Sequence, residues 1–121
     1  MSKTILVVED NSDHSEIVQK ILSAFGYEIE VVINGKDAIG YCKSHEPPFL
    51  ILMDILLPDM NGVDVIKQIK KMAKYTKVPI VAVTIQTDKD VEKKIIESGC
   101  SNILFKPYLP AELVKMVEQY V

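Results

Sequence analysis

The segment LILMDILLPDMNG, residues Leu50 to Gly62, places a carboxylic acid inside an otherwise apolar stretch. Residues Phe49–Met53 are all apolar and run directly into Asp54, and three more apolar residues follow before Pro58. A carboxylate that is buried without partners is strongly destabilising. We therefore expect Asp54 to lie at the exit of a buried strand, where partner groups can reach it.

Short apolar runs alternate with helical patterns on both sides of this segment. The helical patterns show apolar residues at spacings of three and four, as in the helix around Ile17, Val18, Ile21, Leu22 and Phe25. Glycines mark the ends of two helices, at Gly26 and Gly99. The predicted strands are residues 5–8, 27–32, 49–53, 80–84 and 102–106, and predicted helices follow each of them, the last covering Ala111–Tyr120.

A strand followed by a helix, repeated five times, predicts an α/β fold with a parallel sheet covered by helices on both faces. The first, third and fourth strands are continuously apolar, which is typical of central strands. The second strand alternates and the fifth is short, so both fit the edges. The sequence therefore predicts a doubly wound, flavodoxin-like (βα)5 sheet of order 2-1-3-4-5.

Length and composition indicate one soluble domain, residues 1–121. Apolar residues make up 48% of the chain, charged residues 26%, and the net charge is −3. We expect no nucleic-acid surface, because the sequence has no basic stripe. We also expect no membrane span and no signal peptide, and hence a cytoplasmic protein. Cys42 and Cys100 are expected to be buried thiols rather than a disulfide.

Polar side chains follow four of the predicted strands at the same end of the sheet. Glu9 and Asp10 follow the first strand, Asp54 the third, Thr84 ends the fourth and Lys106 ends the fifth. Ligands of open parallel sheets bind beyond the carboxyl ends of the strands, where the strand order reverses. That point lies between the first and third strands here, so we expect these five side chains to share one crevice.

The chemistry of these side chains favours a divalent cation beside an anion. Three neighbouring carboxylates repel each other unless a cation intervenes. Mg²⁺ fits best, because it takes one or two carboxylates and keeps several waters. Lys106 would be repelled by the metal, and its position and that of Thr84 suit an anion instead. A phosphoryl group on Asp54 meets both requirements, since Asp carboxylates act as nucleophiles that form aspartyl phosphates.

Each of these residues also has an ordinary structural explanation. Glu9 and Asp10 could cap the first helix, although Asn11 or Ser12 can do so equally well. Asp54 could cap a loop, Thr84 could be a strand residue, and Lys106 could be a solvated charge. Their joint position at one end of the sheet favours the functional interpretation. His14 and His45 have no partner at a recognisable spacing and are expected to face solvent.

Four motifs resemble the receiver domain of response regulators in two-component signalling over essentially the whole chain. They are VVEDN after the first strand, LILMDILLPDMNG with its proline and glycine four and eight residues after Asp54, PIVAVT, and LFKPY. The chain departs from the common pattern at three positions. Ile103 stands where the family often has an aromatic switch residue, Ile85 where it has a small residue, and Tyr108 where it has Phe.

The resemblance implies a role for each site residue. Asp54 would accept the phosphoryl group, and Thr84 and Lys106 would contact it. Mg²⁺ would be held by Asp10 and Asp54, by Glu9 mostly through water, and by the backbone carbonyl of Leu56. The peptide bond between Lys106 and Pro107 would be cis, and Ile103 would occupy the switch position.

The resemblance also implies the partners. A histidine kinase or a histidine phosphotransfer protein would donate the phosphoryl group, and a downstream protein would bind a changed surface on the fourth helix, fifth strand and fifth helix. The chain would be a stand-alone or an excised receiver. It would not be an enzyme beyond catalysing its own phosphoryl transfer and dephosphorylation.

Three other functions remain as alternatives. A phosphatase of the haloacid-dehalogenase type also uses a strand-end Asp, but it needs a second Asp two residues later, where this chain has Leu56. A flavodoxin-like electron carrier would place a phosphate-binding loop after the first strand, where this chain has the anionic segment EDNSD. A pseudo-receiver would bind partners without phosphorylation, and the intact acidic set argues against it.

Overall fold

The computed structural model describes residues 3–85 and 87–121, and its strands form one parallel sheet of order β2-β1-β3-β4-β5. The predicted order and the α/β class are confirmed. Residues 1, 2 and 86, which the predicted domain 1–121 includes, lie outside the described residues. The strands are β1 (Thr4–Val8), β2 (Glu28–Val32), β3 (Leu50–Asp54), β4 (Ile80–Ile85) and β5 (Asn102–Lys106). The α-helices are α1 (Ser12–Ser23), α2 (Gly35–Ser44), α3 (Gly62–Lys70), α4 (Lys89–Glu97) and α5 (Pro110–Glu118).

The central strands supply two separate cores, one on each face of the sheet. Along β1, Leu6 and Val8 face the core beneath α2 and α3, whereas Ile5 and Val7 face the core beneath α1 and α5. This division follows from the two-residue period of a strand, which sends successive side chains to opposite faces. It explains why the central strands are continuously apolar, since neither of their faces meets water.

Both predicted edge strands lie at the edges of the sheet. β2 pairs only with β1 and β5 only with β4 among the described strands. β2 exposes Glu28 and Glu30 and partly buries its other three residues. The alternating pattern of β2 therefore reports its edge position correctly.

Most predicted element ends differ from the observed ones by one or two residues. β3 includes Asp54, so this acid is the last residue of the strand rather than the first residue after it. The side chain of Asn11 caps α1 by accepting from the backbone N–H groups of Asp13 and His14, at 2.9 and 3.2 Å. Neither Glu9 nor Asp10 is the N-cap of that helix, which removes the capping explanation for them.

A short 3-10 helix, Ala73–Tyr75, was not predicted from the sequence. Tyr75 is completely buried, and the ammonium of Lys70 donates to the carbonyls of Tyr75, Thr76 and Val78 at 2.9 to 3.2 Å. These carbonyls belong to the segment that leads into β4, so the hydrogen bonds from Lys70 stabilise that segment.

Two further expectations can be compared with the structure. No helix among the described residues is long and apolar enough to cross a bilayer. Both cysteines are free thiols, as expected, but only Cys42 is fully buried. Cys100 is partly buried, and its thiol donates to the carbonyl of Ile95 at 3.3 Å.

Candidate functional site

Three carboxylates meet at the carboxyl ends of β1 and β3. One oxygen each of Glu9, Asp10 and Asp54 lies within 4.8 Å of the others. Parallel pairing of β1 with β3 aligns the two strand ends, with Val8 opposite Met53. Glu9 and Asp54 are each only 7% exposed, while Asp10 faces solvent. The acids that the sequence placed at this edge therefore do lie together.

The ammonium of Lys106 lies against two of these acids. Its Nζ is 2.9 Å from Glu9 Oε1 and 3.3 Å from Asp54 Oδ2. Lys106 ends β5, the edge strand beyond β4, so its side chain extends past the end of β4 to reach the cluster. The peptide bond that follows it, to Pro107, is cis, as the resemblance implies.

The pKa values of the two buried acids, Glu9 and Asp54, are shifted in opposite directions. Burial, together with a hydrogen bond and the charge of Glu9, raises the pKa of Asp54 to about 6. Burial acts on Glu9 in the same direction, but its hydrogen bonds to Asp54 and Lys106 hold the pKa of Glu9 below the ordinary value. Of this pair, Asp54 therefore holds a proton more readily.

The loop after β3 brings its backbone to Asp54. The N–H of Leu56 donates to Asp54 Oδ1 at 3.1 Å, and Leu56 forms an antiparallel bridge with Asn61. Gly62 folds back against the strand end, where an added Cβ would lie 2.5 Å from the Asp54 carbonyl oxygen. The side chain of Leu56 points outward and is 67% exposed, so its backbone is the part that belongs to the site.

Thr84 and Ile85 end β4 beside the cluster. Thr84 is 4% exposed and pairs in register with Phe105, and the next residue, Ile85, pairs with Lys106. Ile85 is 54% exposed. Ile103, at the implied switch position, is partly buried and packs against the core beneath α2 and α3.

His14 is a neighbour of the site that the sequence interpretation missed. Its Nδ1 lies 3.4 Å from Glu9 Oε1, although half of its side chain meets solvent. His14 is exposed, as expected, but the sequence pattern did not reveal Glu9 as its partner. The sequence did contain a sign of this contact. With Asn11 as the N-cap, His14 lies in the first turn of α1, close in the chain to Glu9 at the end of β1.

An open apolar groove adjoins the acidic cluster. It has a volume of about 380 Å³ and is lined by His14, Ile17, Ile85, Lys106, Pro107 and Tyr108. Tyr108, where the resembled family has Phe, also lines a second, smaller cavity together with Glu9 and Asp54. The charged groups of the site therefore lie directly beside an apolar surface.

Comparison with known proteins places these features in a family context. The profile of the response regulator receiver domain matches residues 5–118. The chain is 32% identical over 121 residues to the polar-differentiation response regulator DivK of Brucella anthropi, covering all of this chain and 98% of that protein. DivK of Brucella ovis is 31% identical over the same length.

Solved structures share the same architecture. The receiver domain of sensor histidine kinase PA1611 from Pseudomonas aeruginosa superposes with a TM-score of 0.89 at 27% identity, covering 99% of this chain and 98% of that one. That structure has a magnesium ion coordinated in its active-site cleft. The chemotaxis response regulator CheY4 of Vibrio cholerae superposes with a TM-score of 0.93 at 24% identity over the full length of both chains, which shows a shared fold.

Proposed function

The chain belongs to the family of response regulator receiver domains, phosphorylation-controlled signalling modules, and we propose that Asp54 is its phosphoryl acceptor. The observation that carries this proposal is the position of Asp54. It ends the central strand β3, holds one oxygen near Lys106 and the other near the Leu56 N–H, and lies within 4.8 Å of both other acids. We further propose that residues 1–121 act as one receiver unit.

Asp54 is a better nucleophile than either neighbour. Glu9 is engaged by Lys106 at 2.9 Å and by the backbone N–H of Asn11 at 3.4 Å, so its oxygens are partly occupied. Asp10 faces solvent, whereas Asp54 is buried and burial raises its pKa. When ionised, a more basic carboxylate attacks phosphorus more readily.

The transfer itself is a simple exchange of bonds. The phosphorus–nitrogen bond of a phosphohistidine donor breaks, and its electron pair stays on the imidazole, which takes up a proton. A bond forms between phosphorus and an Asp54 carboxylate oxygen. Hydrolysis later returns the carboxylate and releases inorganic phosphate. We propose that the chain catalyses these two steps on itself and no other reaction.

The acidic cluster fits a magnesium ion. Three carboxylates face one ammonium and the partly exposed His14, so the cluster is rich in hard oxygen donors and short of positive charge. We propose that Asp10, Asp54 and the backbone carbonyl of Leu56 hold the ion, with Glu9 acting mostly through water. When bound, Mg²⁺ supplies positive charge that offsets the charge of the phosphoryl oxygens.

Lys106 and Thr84 are proposed to bind the phosphoryl group. Lys106 already reaches Asp54, so its ammonium can turn from Glu9 towards a phosphoryl oxygen without a long movement. Thr84 is the second-last residue of β4, one residue before Ile85, which pairs with Lys106, and it can donate its hydroxyl proton to another oxygen. Thr84 belongs to β4 and Lys106 to β5. The new contacts would therefore shift the ends of these two strands, which also carry Ile85 and Ile103.

The partners follow from this chemistry. The donor is proposed to be a histidine kinase or a histidine phosphotransfer protein. The output is proposed to be a change in the surface of α4, β5 and α5, with Ile103 at the switch position. This face exposes Val91, Ile96 and Phe105, apolar side chains that a downstream protein could cover.

Labelling with a small phosphoryl donor tests the acceptor. The wild-type chain, Asp54→Asn and Asp64→Asn are incubated with acetyl phosphate and Mg²⁺ and weighed by mass spectrometry. Asp64 is an exposed acid at the start of α3 and serves as a charge-matched control. We expect one phosphoryl adduct on the wild type and on Asp64→Asn, and none on Asp54→Asn.

The same experiment separates the alternative functions. A phosphoryl adduct on Asp54→Asn would assign the acceptor elsewhere. A wild type that takes up no phosphoryl group would indicate a pseudo-receiver. Continuous release of phosphate from phosphate esters, lost in Asp54→Asn, would indicate a phosphatase instead.

A further inference from the structure

Asp59 joins the loop after β3 to the start of α2. Its Oδ1 accepts from the backbone N–H of Gly35 at 2.8 Å, and its Oδ2 accepts from that of Lys36 at 2.9 Å. The contact spans 24 residues of sequence and uses both oxygens of one carboxylate. We call this pair of hydrogen bonds the Asp59 clamp.

The clamp completes the hydrogen bonding of the first turn of α2. The first four N–H groups of a helix have no partner within it. In α2, Asp59 takes the first two. The side chain of Asn34 accepts from the N–H of Asp37 at 2.7 Å, and regular helical bonding begins with the N–H of Ala38, which donates to the carbonyl of Asn34 at 3.1 Å. The first two donors of α2 thus depend on a residue from another loop.

Charge and packing both favour this arrangement. A carboxylate is stabilised by the positive end of the helix dipole. Consistent with this, the N–H groups of Gly35 and Lys36 lower the pKa of Asp59. Gly35 allows the close approach, since a Cβ there would lie 2.7 Å from Val65 Cγ2 and 3.1 Å from Met60 Sδ.

The clamped loop is also the loop that carries Leu56. At its base, Leu56 bridges to Asn61, and the N–H of Gly62 donates to the carbonyl of Ile55 at 2.8 Å. The base is therefore tied to itself and to the strand end, whereas the Asp59 clamp ties the tip to a different element. At the tip itself, Leu57 and Met60 pack their side chains against the core beneath α2 and α3.

We propose that Asp59 is a positioning residue that fixes the Leu56 backbone for binding a divalent cation. This inference rests on the proposed function, in which the Leu56 carbonyl is a ligand of that ion. A carbonyl held in place before binding loses little freedom when the ion arrives. Groups that orient metal ligands typically change metal affinity by about 10- to 100-fold when mutated. Asp59 acts one step further away, so we expect an effect near the lower end of that range.

The test measures Mg²⁺ affinity by calorimetric titration at a temperature where every variant is folded. The proteins are the wild type, Asp59→Ala, Asp59→Asn, Asp64→Asn and Asp10→Asn. We expect Asp59→Ala to bind Mg²⁺ about tenfold more weakly. Asp59→Asn keeps one acceptor oxygen, so its Mg²⁺ affinity should fall by less than that of Asp59→Ala. Asp64→Asn, which removes the same charge from a neighbouring exposed position, should bind like the wild type.

Amide hydrogen exchange provides a second readout. In Asp59→Ala and Asp59→Asn, exchange should become faster at Gly35 and Lys36, where the clamp is lost, and also at Leu56. If Asp59→Ala does not fold, Asp59→Asn, which is nearly the same shape, decides the question.

Four results would overturn the inference. If Asp59→Ala binds Mg²⁺ as the wild type does, even with a lower melting temperature, then Asp59 only stabilises α2. Equal losses in Asp59→Asn and Asp64→Asn would show a long-range charge effect. A wild type that does not bind Mg²⁺, or Asp10→Asn that binds it unchanged, would instead refute the proposed site and this inference with it.

Discussion

Lys106 Nζ lies 2.9 Å from Glu9 Oε1, so the last residue of one edge strand forms an ion pair with the residue that follows a central strand. The same ammonium lies 3.3 Å from Asp54 Oδ2. Without a metal ion, Lys106 is therefore the main counter-charge of the two buried acids. A divalent cation and Lys106 are, on this view, two ways of relieving the same repulsion.

Lys106→Ala should separate the two roles of this lysine. Two buried carboxylates lose their counter-charge, so we expect the metal-free protein to lose about 2 kcal/mol of unfolding free energy. Mg²⁺ should still bind, and its stabilising effect should be larger than in the wild type. After labelling with acetyl phosphate, the amide resonances of Ile103 and Phe105 should no longer shift. Lys67→Ala, at an exposed position of α3, is the control. Shifts equal to those of the wild type would remove Lys106 from phosphoryl recognition.

Magnesium should stabilise the folded chain. The three acids lie within 4.8 Å of one another, and unfolding disperses them. A ligand that binds only the folded state adds about 2.7 kcal/mol at a hundredfold excess over its Kd. Thermal melts in EDTA and in millimolar Mg²⁺ measure this gain in stability. The gain should be smaller in Asp10→Asn and equal to that of the wild type in Asp64→Asn. Equal wild-type midpoints in the two buffers would argue against a metal site.

Asp54→Asn should change stability in opposite directions with and without metal. The raised pKa of Asp54 shows that the fold disfavours its ionised form. An amide removes that charge, so the metal-free variant should gain about 1 kcal/mol at pH 7, less than the full shift because the contact with Lys106 weakens. In Mg²⁺ the wild type should be the more stable protein. Denaturant unfolding in both buffers tests this, and a metal-free variant below the wild type would contradict it.

Ile85 is expected to prolong the life of the phosphorylated state. It is 54% exposed at the end of β4, pairs in register with Lys106 and forms part of the wall of the apolar groove. A branched, stiff side chain there should restrict the approach of water in line with the bond from Asp54 to phosphorus. Ile85→Ala should therefore lose its phosphoryl group faster, by up to about tenfold, which corresponds to about 1.4 kcal/mol.

The decay of both proteins is followed in Mg²⁺ after the donor is removed. Ile96→Ala, which truncates a similarly exposed isoleucine on α4, is the matched control and should decay as the wild type does. Decay of Ile85→Ala at the wild-type rate, or below it, would show that Ile85 does not screen the site.

The sequence alone was sufficient to predict the strand order and the edge at which the polar residues gather. Continuous apolar runs mark strands covered on both faces, alternation marks the edge strand β2, and parallel strands present their carboxyl ends at one edge. These rules depend on local pattern and on chain direction, and both can be read without coordinates. They place Asp54 at the strand end before any distance is known.

The tertiary structure alone decided which side chains contact which. The contacts of Lys106 with Glu9, of His14 with Glu9 and of Asp59 with α2 join residues from separate elements. Their distances depend on how far each helix and loop is shifted over the sheet, and side-chain packing sets that shift. A local pattern carries no such information, because an exposed aspartate in a loop looks the same in sequence whether or not a helix begins beside it.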